Sequence, residues 1–144
     1  MKRVFTFIAF IACAIGVNAQ EYLDWGILAD VKFEDHYSKE YKMDLLKATF
    51  GDMVKPYDGK EVMLSGYMIP IDPMGTAYVL SRNPNSSCFF CGGAGPETIV
   101  GLKLDPKHTK RYKTDEYLTF KGTFKMNELN EKQFTYMILD AEKI

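Results

Sequence analysis

Five short segments of the chain are predicted as β-strands: three alternate two sets of side chains with a period of two, and the two at 78–80 and 99–104 are short apolar runs. They are residues 62–69, 78–80, 99–104, 118–126 and 134–139. The segments 62–69 and 118–126 carry Gly66 and Gly122 near mid-length, where a strongly coiled strand has to bend. A β-sandwich usually needs about seven strands, more than the five segments found in this sequence. The sequence therefore predicts a mainly β (α+β) fold: a five-stranded, closed or nearly closed barrel of the oligonucleotide/oligosaccharide-binding (OB) type, with an N-terminal helical segment.

Residues 20–56, which precede the barrel, follow a different period. Between Glu34 and Phe50, apolar residues recur every three or four positions among many charges, at Tyr37, Tyr41, Leu45 and Ala48. This spacing predicts an amphipathic helix, or two short ones, that covers the barrel core. The apolar residues of 25–33 are expected to pack on the barrel as an extended arm. Residues 57–144 then form the barrel domain.

The first 19 residues predict the compartment. Lys2 and Arg3 precede an apolar run over 4–17, and Ala19 ends a small-residue exit, which is the layout of a secretory signal peptide cleaved after Ala19. The run is shorter than the roughly 20 residues that span a bilayer. We therefore expect a periplasmic or secreted chain with no stable membrane span. Removing Lys2 and Arg3 from 18 basic residues leaves 16 against 19 acidic ones, a balance that disfavours nucleic acid as a partner.

The chemistry of the chain is concentrated in one loop. Cys88 and Cys91 are separated by two residues, so both sulfurs can meet one metal ion or each other. Gly92, Gly93 and Gly95 follow, and glycine backbone N–H groups that turn toward one point form a concavity that stabilises an anion such as a thiolate. The same N–H groups lower a thiol pKa, which favours metal ligation or redox exchange.

Three hypotheses compete for this cysteine pair. A structural disulfide suits an exported chain, but so short a loop removes only roughly 2 kcal/mol of unfolded-chain entropy. A thioredoxin-like redox motif normally opens a helix, which the glycines and Pro96 oppose. The third hypothesis is a soft-metal site for zinc or copper, which needs further ligands. These come from a second chain's cysteine pair in a homodimer, or from the weaker candidates His36, His108, Glu97 and Asp72.

Signals for an enzyme are missing from the sequence. The chain has two histidines, which leaves little for Ser-His or Cys-His nucleophilic catalysis, and no glycine-rich phosphate loop. A binding module of the cell envelope is the alternative function. It would hold a peptide, glycan or partner protein on the barrel face, with Cys88 and Cys91 bridged as a disulfide. The candidate surface residues for this role are Tyr67, Tyr78, Phe89 and Phe90.

Residues 58–62 (DGKEV), 65–70 (SGYMIP) and 78–81 (YVLS), followed by the Cys88 loop, resemble the exported bacterial proteins grouped as the DUF3299 family. The resemblance covers residues 25–104. It implies a small periplasmic or secreted protein without an established enzymatic activity, near a transport component that handles zinc. Many relatives carry histidine two positions after the cysteine, where this chain has Phe90. Only Cys88 carries over directly, and the resemblance implies that Cys91 supplies the second ligand.

Overall fold

The computed structural model describes residues 21–85, 94–108, 110–129 and 133–144. Most of them lie in strands, and the one α-helix among them has a single turn. Among the elements that lie wholly in the described ranges, 3-10 turns cover Lys55–Tyr57, Pro96–Thr98 and Pro106–His108. The elements are β1 (Glu21–Tyr22), α1 (Trp25–Leu28), β2 (Val31–Ser38), β3 (Met43–Phe50), β4 (Glu61–Pro70), β5 (Tyr78–Ser81), β6 (Ile99–Leu104), β7 (Tyr117–Met126) and β8 (Tyr136–Lys143).

Strands β4 to β8 form a closed five-stranded barrel. β4 pairs antiparallel with β5, β5 with β6, and β7 with β8, whereas β6 and β8 run parallel. The antiparallel pairing of β4 with β7 closes the sheet on itself. This confirms the predicted OB-like barrel, and each of the five predicted strands is present. The short strand β1 lies outside the barrel and pairs parallel with the start of β4.

The period-two pattern places one face of each strand inside the barrel. Leu64, Phe120, Phe124 and Ile138 are fully buried there. Gly122 lies where the β7–β8 register shifts between Lys121 and Thr123, so the strand bends at the glycine that the sequence singled out. A Cβ at Gly122 would lie 2.5 Å from the Leu139 carbonyl oxygen. The close approach of the two backbones therefore requires glycine at this position.

The helix predicted between Glu34 and Phe50 is wrong. β2 and β3 occupy this region as an antiparallel hairpin in which Val31 pairs with Phe50 and Ser38 with Met43. Among the described residues of the N-terminal segment, the α-helical part is the single turn of α1. Leu28 is fully buried and Trp25 packs against the core, but residues 25–28 form the helical turn of α1 and not the predicted extended arm.

Local and tertiary contacts both favour the hairpin over a helix. The Ser38 hydroxyl accepts a hydrogen bond from the Tyr41 backbone N–H at 3.3 Å and supports the turn. Glu34 lies opposite Lys47 across the hairpin, a stabilising cross-strand pair of opposite charges. The Ala48 N–H donates to the Glu128 carbonyl oxygen at 2.7 Å. That last hydrogen bond joins β3 to the loop between β7 and β8. Local periodicity in the sequence cannot reveal a contact of this kind.

Tyr136 of β8 connects α1 to the barrel. Its ring is fully buried, and its hydroxyl donates to the Leu28 carbonyl oxygen at 2.9 Å. Burial raises the pKa of this phenol, with smaller contributions from the charges of Glu97 and Asp30. The hydroxyl therefore stays protonated as a donor at neutral pH. No helix within the described ranges is both long and apolar enough to cross a membrane.

Candidate binding site

A cleft of about 420 Å³ lies on the outside of the barrel, over strands β4, β5 and β6. Ile69 and Val79 are cross-strand partners, and both project away from the core because their neighbours Met68 and Leu80 project into it. We call this feature the outer cleft. Its lining residues are Ile69, Pro70, Ile71, Val79, Asn85, Ile99 and Phe134.

The outer cleft is apolar at positions where a solvated barrel usually carries polar side chains. Val79 is 1% exposed and Ile69 is 9% exposed, although both lie on the outer face. Ile71, at the rim, is 50% exposed. Among the lining residues that the structure describes, Asn85 has the only polar side chain. The cleft is therefore suited to an apolar group, with one amide available to orient it.

Gly101 positions one wall of the outer cleft. It pairs with Val79 and shares its outward direction. A Cβ at Gly101 would meet Sδ of Met137 and the ring carbon Cδ2 of Phe134. Because Gly101 has no side chain, the Phe134 ring can lie against β6 and form this wall of the cleft.

Asp72 organises the loop at the other wall of the cleft. Its carboxylate accepts hydrogen bonds from the Ala77 N–H at 2.7 Å and from the N–H and hydroxyl of Thr76, both at 2.8 Å. The Ala77 bond and then the Thr76 hydroxyl lower the pKa of Asp72. These hydrogen bonds fix the conformation of the loop formed by residues 71–77 and with it the position of Ile71. The candidate metal ligand Asp72 uses both carboxylate oxygens within its own loop.

The described metal-ligand candidates lie on separate elements. His36 is exposed in the middle of β2, Glu97 lies in the turn Pro96–Thr98, and His108 ends the turn Pro106–His108. In the part of the chain that the structure describes, no three His, Cys, Asp or Glu side chains are grouped to hold a metal ion. Gly95 accepts hydrogen bonds from the N–H and hydroxyl of Thr98 through its carbonyl. The candidates that lie outside the described residues are Cys88, Phe89, Phe90, Cys91, Gly92 and Gly93.

The two tyrosines predicted for a partner surface differ in position. Tyr67 is half-buried on the outside of β4, and its ring lies edge-on to Tyr117 at 5.0 Å. Tyr78 is 2% exposed and lies in the core. Its hydroxyl donates to the Gly75 carbonyl oxygen at 2.7 Å and accepts from the Tyr112 N–H at 3.2 Å. The prediction for Tyr78 is therefore wrong, because the inward face of β5 carries it into the barrel.

The residues that line the outer cleft are absent from the sequence prediction. The sequence pattern predicts Ile69 and Ile99 only as strand residues, and it places Phe134 in a strand although β8 starts at Tyr136. The available signal was apolar residues on both faces of 67–69 and 99–102. A barrel strand whose outer face is solvated does not need apolar residues on that face as well, so apolar residues on both faces indicate that the outer face is covered.

Comparisons of the chain with protein-family models, with curated proteins and with solved structures give no match. The resemblance to the DUF3299 family therefore stays a prediction. The barrel topology and the outer cleft are the features from which a function has to be inferred.

Proposed function

We propose that the protein is an exported, non-enzymatic binding protein that holds an apolar group of its ligand in the outer cleft. The observation that carries this proposal is the cleft itself, in which outward side chains of three adjacent strands are apolar and largely shielded from water. Its volume of about 420 Å³ is in the range of sites that hold small molecules or a few side chains. OB barrels as a class bind ligands on the equivalent strands, which is support by analogy of fold alone.

The chemistry of the lining defines the class of ligand. Ile71 and Phe134 flank the cleft, so an apolar group placed between them is removed from water on two sides. Each fully buried aliphatic side chain contributes roughly 1.5–3 kcal/mol. Asn85 adds one hydrogen-bonding amide at the edge. An amphipathic molecule, or a peptide with one aliphatic or aromatic anchor, fits this arrangement.

Replacing Ile71 with serine is expected to weaken binding of the fluorescent apolar probe anilinonaphthalenesulfonate about fivefold, because half of the Ile71 side chain is free to be covered by a ligand. Met74→Ser is the matched control. Met74 belongs to the same loop and is 71% exposed, but it does not line the cleft. A fluorescence titration of the unsubstituted protein and both variants measures the three dissociation constants.

The proposal is contradicted if the two variants bind the probe equally well. Ile99→Ser provides a second test from the opposite wall of the cleft. Urea unfolding of each variant shows whether the barrel is intact, so a loss of binding is assigned to the cleft only when stability is retained.

A second proposed function rests on the sequence of the loop that starts beside the cleft. Asn85 lines the cleft, and Cys88 follows it by three residues in the chain. A two-residue cysteine spacing before a glycine-rich stretch favours thiolate ligands, and zinc or copper is the metal such ligands select. On this proposal the outer cleft and the cysteine pair serve one envelope protein that handles a soft metal.

Protein isolated from the periplasm without chelators is expected to contain about one zinc or copper ion per cysteine pair, or one per two pairs where a second chain supplies the other ligands, and Cys88→Ser is expected to lose it. Elemental analysis together with thiol counting measures both quantities. A metal-free protein without free thiols would instead establish the disulfide hypothesis. Cys88→Ser that folds and keeps its metal would remove this loop from consideration as the site.

A further inference from the structure

The outer edge of β2 is a strand edge without a partner strand among the described residues. β2 pairs with β3 along all eight of its residues, and the two strands form a sheet of their own. Four successive residues, Glu34, Asp35, His36 and Tyr37, are exposed. Since side chains alternate between faces, this run leaves both faces of the strand open to solvent. Such an edge presents backbone N–H and C=O groups that another strand can pair with.

The hairpin that carries this edge is anchored at its base. The Gly51 N–H donates to the Asp30 carbonyl oxygen at 2.8 Å, and the Asp30 carboxylate accepts from the Met53 N–H at 2.8 Å. On the other side, β3 bonds to the loop between β7 and β8 through Ala48, and Lys47 forms a bridge with Leu129. β3 is therefore held by the barrel, and the edge that remains is that of β2.

Charge along β2 opposes pairing with a second copy of the same strand. An antiparallel pair that matches Val31 with Ser38 places Glu34 opposite Asp35, twice. A shift by one residue places either Glu34 opposite Glu34 or Asp35 opposite Asp35. Like charges directly opposite each other destabilise a strand pair. The registers that pair the most backbone groups are thus the ones that a second copy avoids.

We propose that the β2 edge is a docking site for an extended segment of another protein, added antiparallel as a third strand of the hairpin sheet. The carboxylates of Glu34 and Asp35 lie on opposite faces, so the partner that complements them carries basic residues at two successive positions. An apolar partner residue then lies opposite Tyr37, which is 58% exposed. This site is separate from the outer cleft, which lies over β4 to β6.

The test uses two synthetic heptapeptides and the intact protein. The sequence TVTKKVE places lysines opposite Asp35 and Glu34 and a valine opposite Tyr37, and TVTEEVK reverses the charges. TVTKKVE is expected to bind about threefold or more tightly than TVTEEVK, because each opposite-charge pair replaces a like-charge pair. Amide chemical shifts of the protein locate the contact, which is expected at residues 32–38.

Glu34→Lys is expected to weaken binding of TVTKKVE about threefold. Asp44→Lys is the matched control, since it makes the same change in charge at an exposed site on β3 and is expected to leave binding unchanged. Amide signals of Lys47 and Ala48 report whether the hairpin is intact, and Glu34→Gln replaces Glu34→Lys if they are lost.

Three outcomes would overturn the proposal. The first is that the two peptides bind equally well, or that neither binds, while the hairpin is intact. The second is that the peptides shift the amide signals of Ile99 and Val79 instead of those of residues 32–38. The third is that the amide signals of residues 32–38 shift when the protein alone is concentrated, which would assign the edge to a second copy.

Discussion

Gly122→Ala is expected to destabilise the protein by about 3 kcal/mol, because the added methyl group meets the backbone of β8 and the fully buried Ile138 side chain, neither of which can move freely. Its Cβ would lie 2.5 Å from the Leu139 carbonyl oxygen and 2.7 Å from Ile138 Cγ2. Relief requires β7 and β8 to separate at the point where their register shifts. A domain of this size has roughly 5–15 kcal/mol of stability in total. Urea unfolding followed by circular dichroism measures the difference.

Gly101→Ala is the matched control for that experiment. Gly101 is also a buried barrel glycine, but its added methyl group would meet side-chain atoms, Sδ of Met137 and the ring carbon Cδ2 of Phe134, and side chains can shift more readily than backbone. The expected cost is about 1 kcal/mol or less, with amide shifts at Phe134 because that ring must move. Equal destabilisation by the two substitutions would show that backbone closeness at Gly122 does not determine barrel closure.

The strands of the barrel were predictable because each carries its own information. In β7, Leu118, Phe120 and Phe124 alternate with exposed or half-buried residues, and this period needs no knowledge of neighbouring strands. The glycine that marks the bend is also a local signal. A five-stranded sheet with one apolar face can bury that face by closing into a barrel, which places β4 next to β7.

The hairpin and the outer cleft were not predictable in the same way. Tyr37, Tyr41, Leu45 and Ala48 satisfy a helical period, yet the chain forms strands: β2 and β3 pair along their length, and Ala48 of β3 donates a hydrogen bond to Glu128, far along the sequence. The cleft joins Ile69, Ile99 and Phe134, which lie on different strands and a loop. The barrel topology brings these residues together. Local periodicity therefore identifies each one as a strand or core residue but does not show that they line one cleft.

Tyr136→Ala is expected to destabilise the protein by about 4 kcal/mol, since it removes a fully buried ring and a long-range hydrogen bond together. The Tyr136 ring stacks on Phe124 with centroids 5.5 Å apart and lies 5.7 Å from Phe50. It therefore fills the space between the barrel core and the base of the hairpin. Urea unfolding measures the loss, and amide shifts at Leu28 and Phe50 show whether the N-terminal elements have separated from the barrel.

Tyr136→Phe separates the hydrogen bond from the packing. It keeps the ring and leaves the buried Leu28 carbonyl without the phenol donor, at a cost of about 1–3 kcal/mol. The pH dependence gives an independent check. Because burial raises the Tyr136 pKa, the unfolded chain loses this proton first, near the ordinary value of about 10. Stability from the buried phenol is thus full below about pH 10 and declines as pH rises above it. Tyr136→Phe is expected to lose that part of the alkaline decline, and an unchanged decline would show that the hydroxyl ionises as readily in the folded protein as in the unfolded chain.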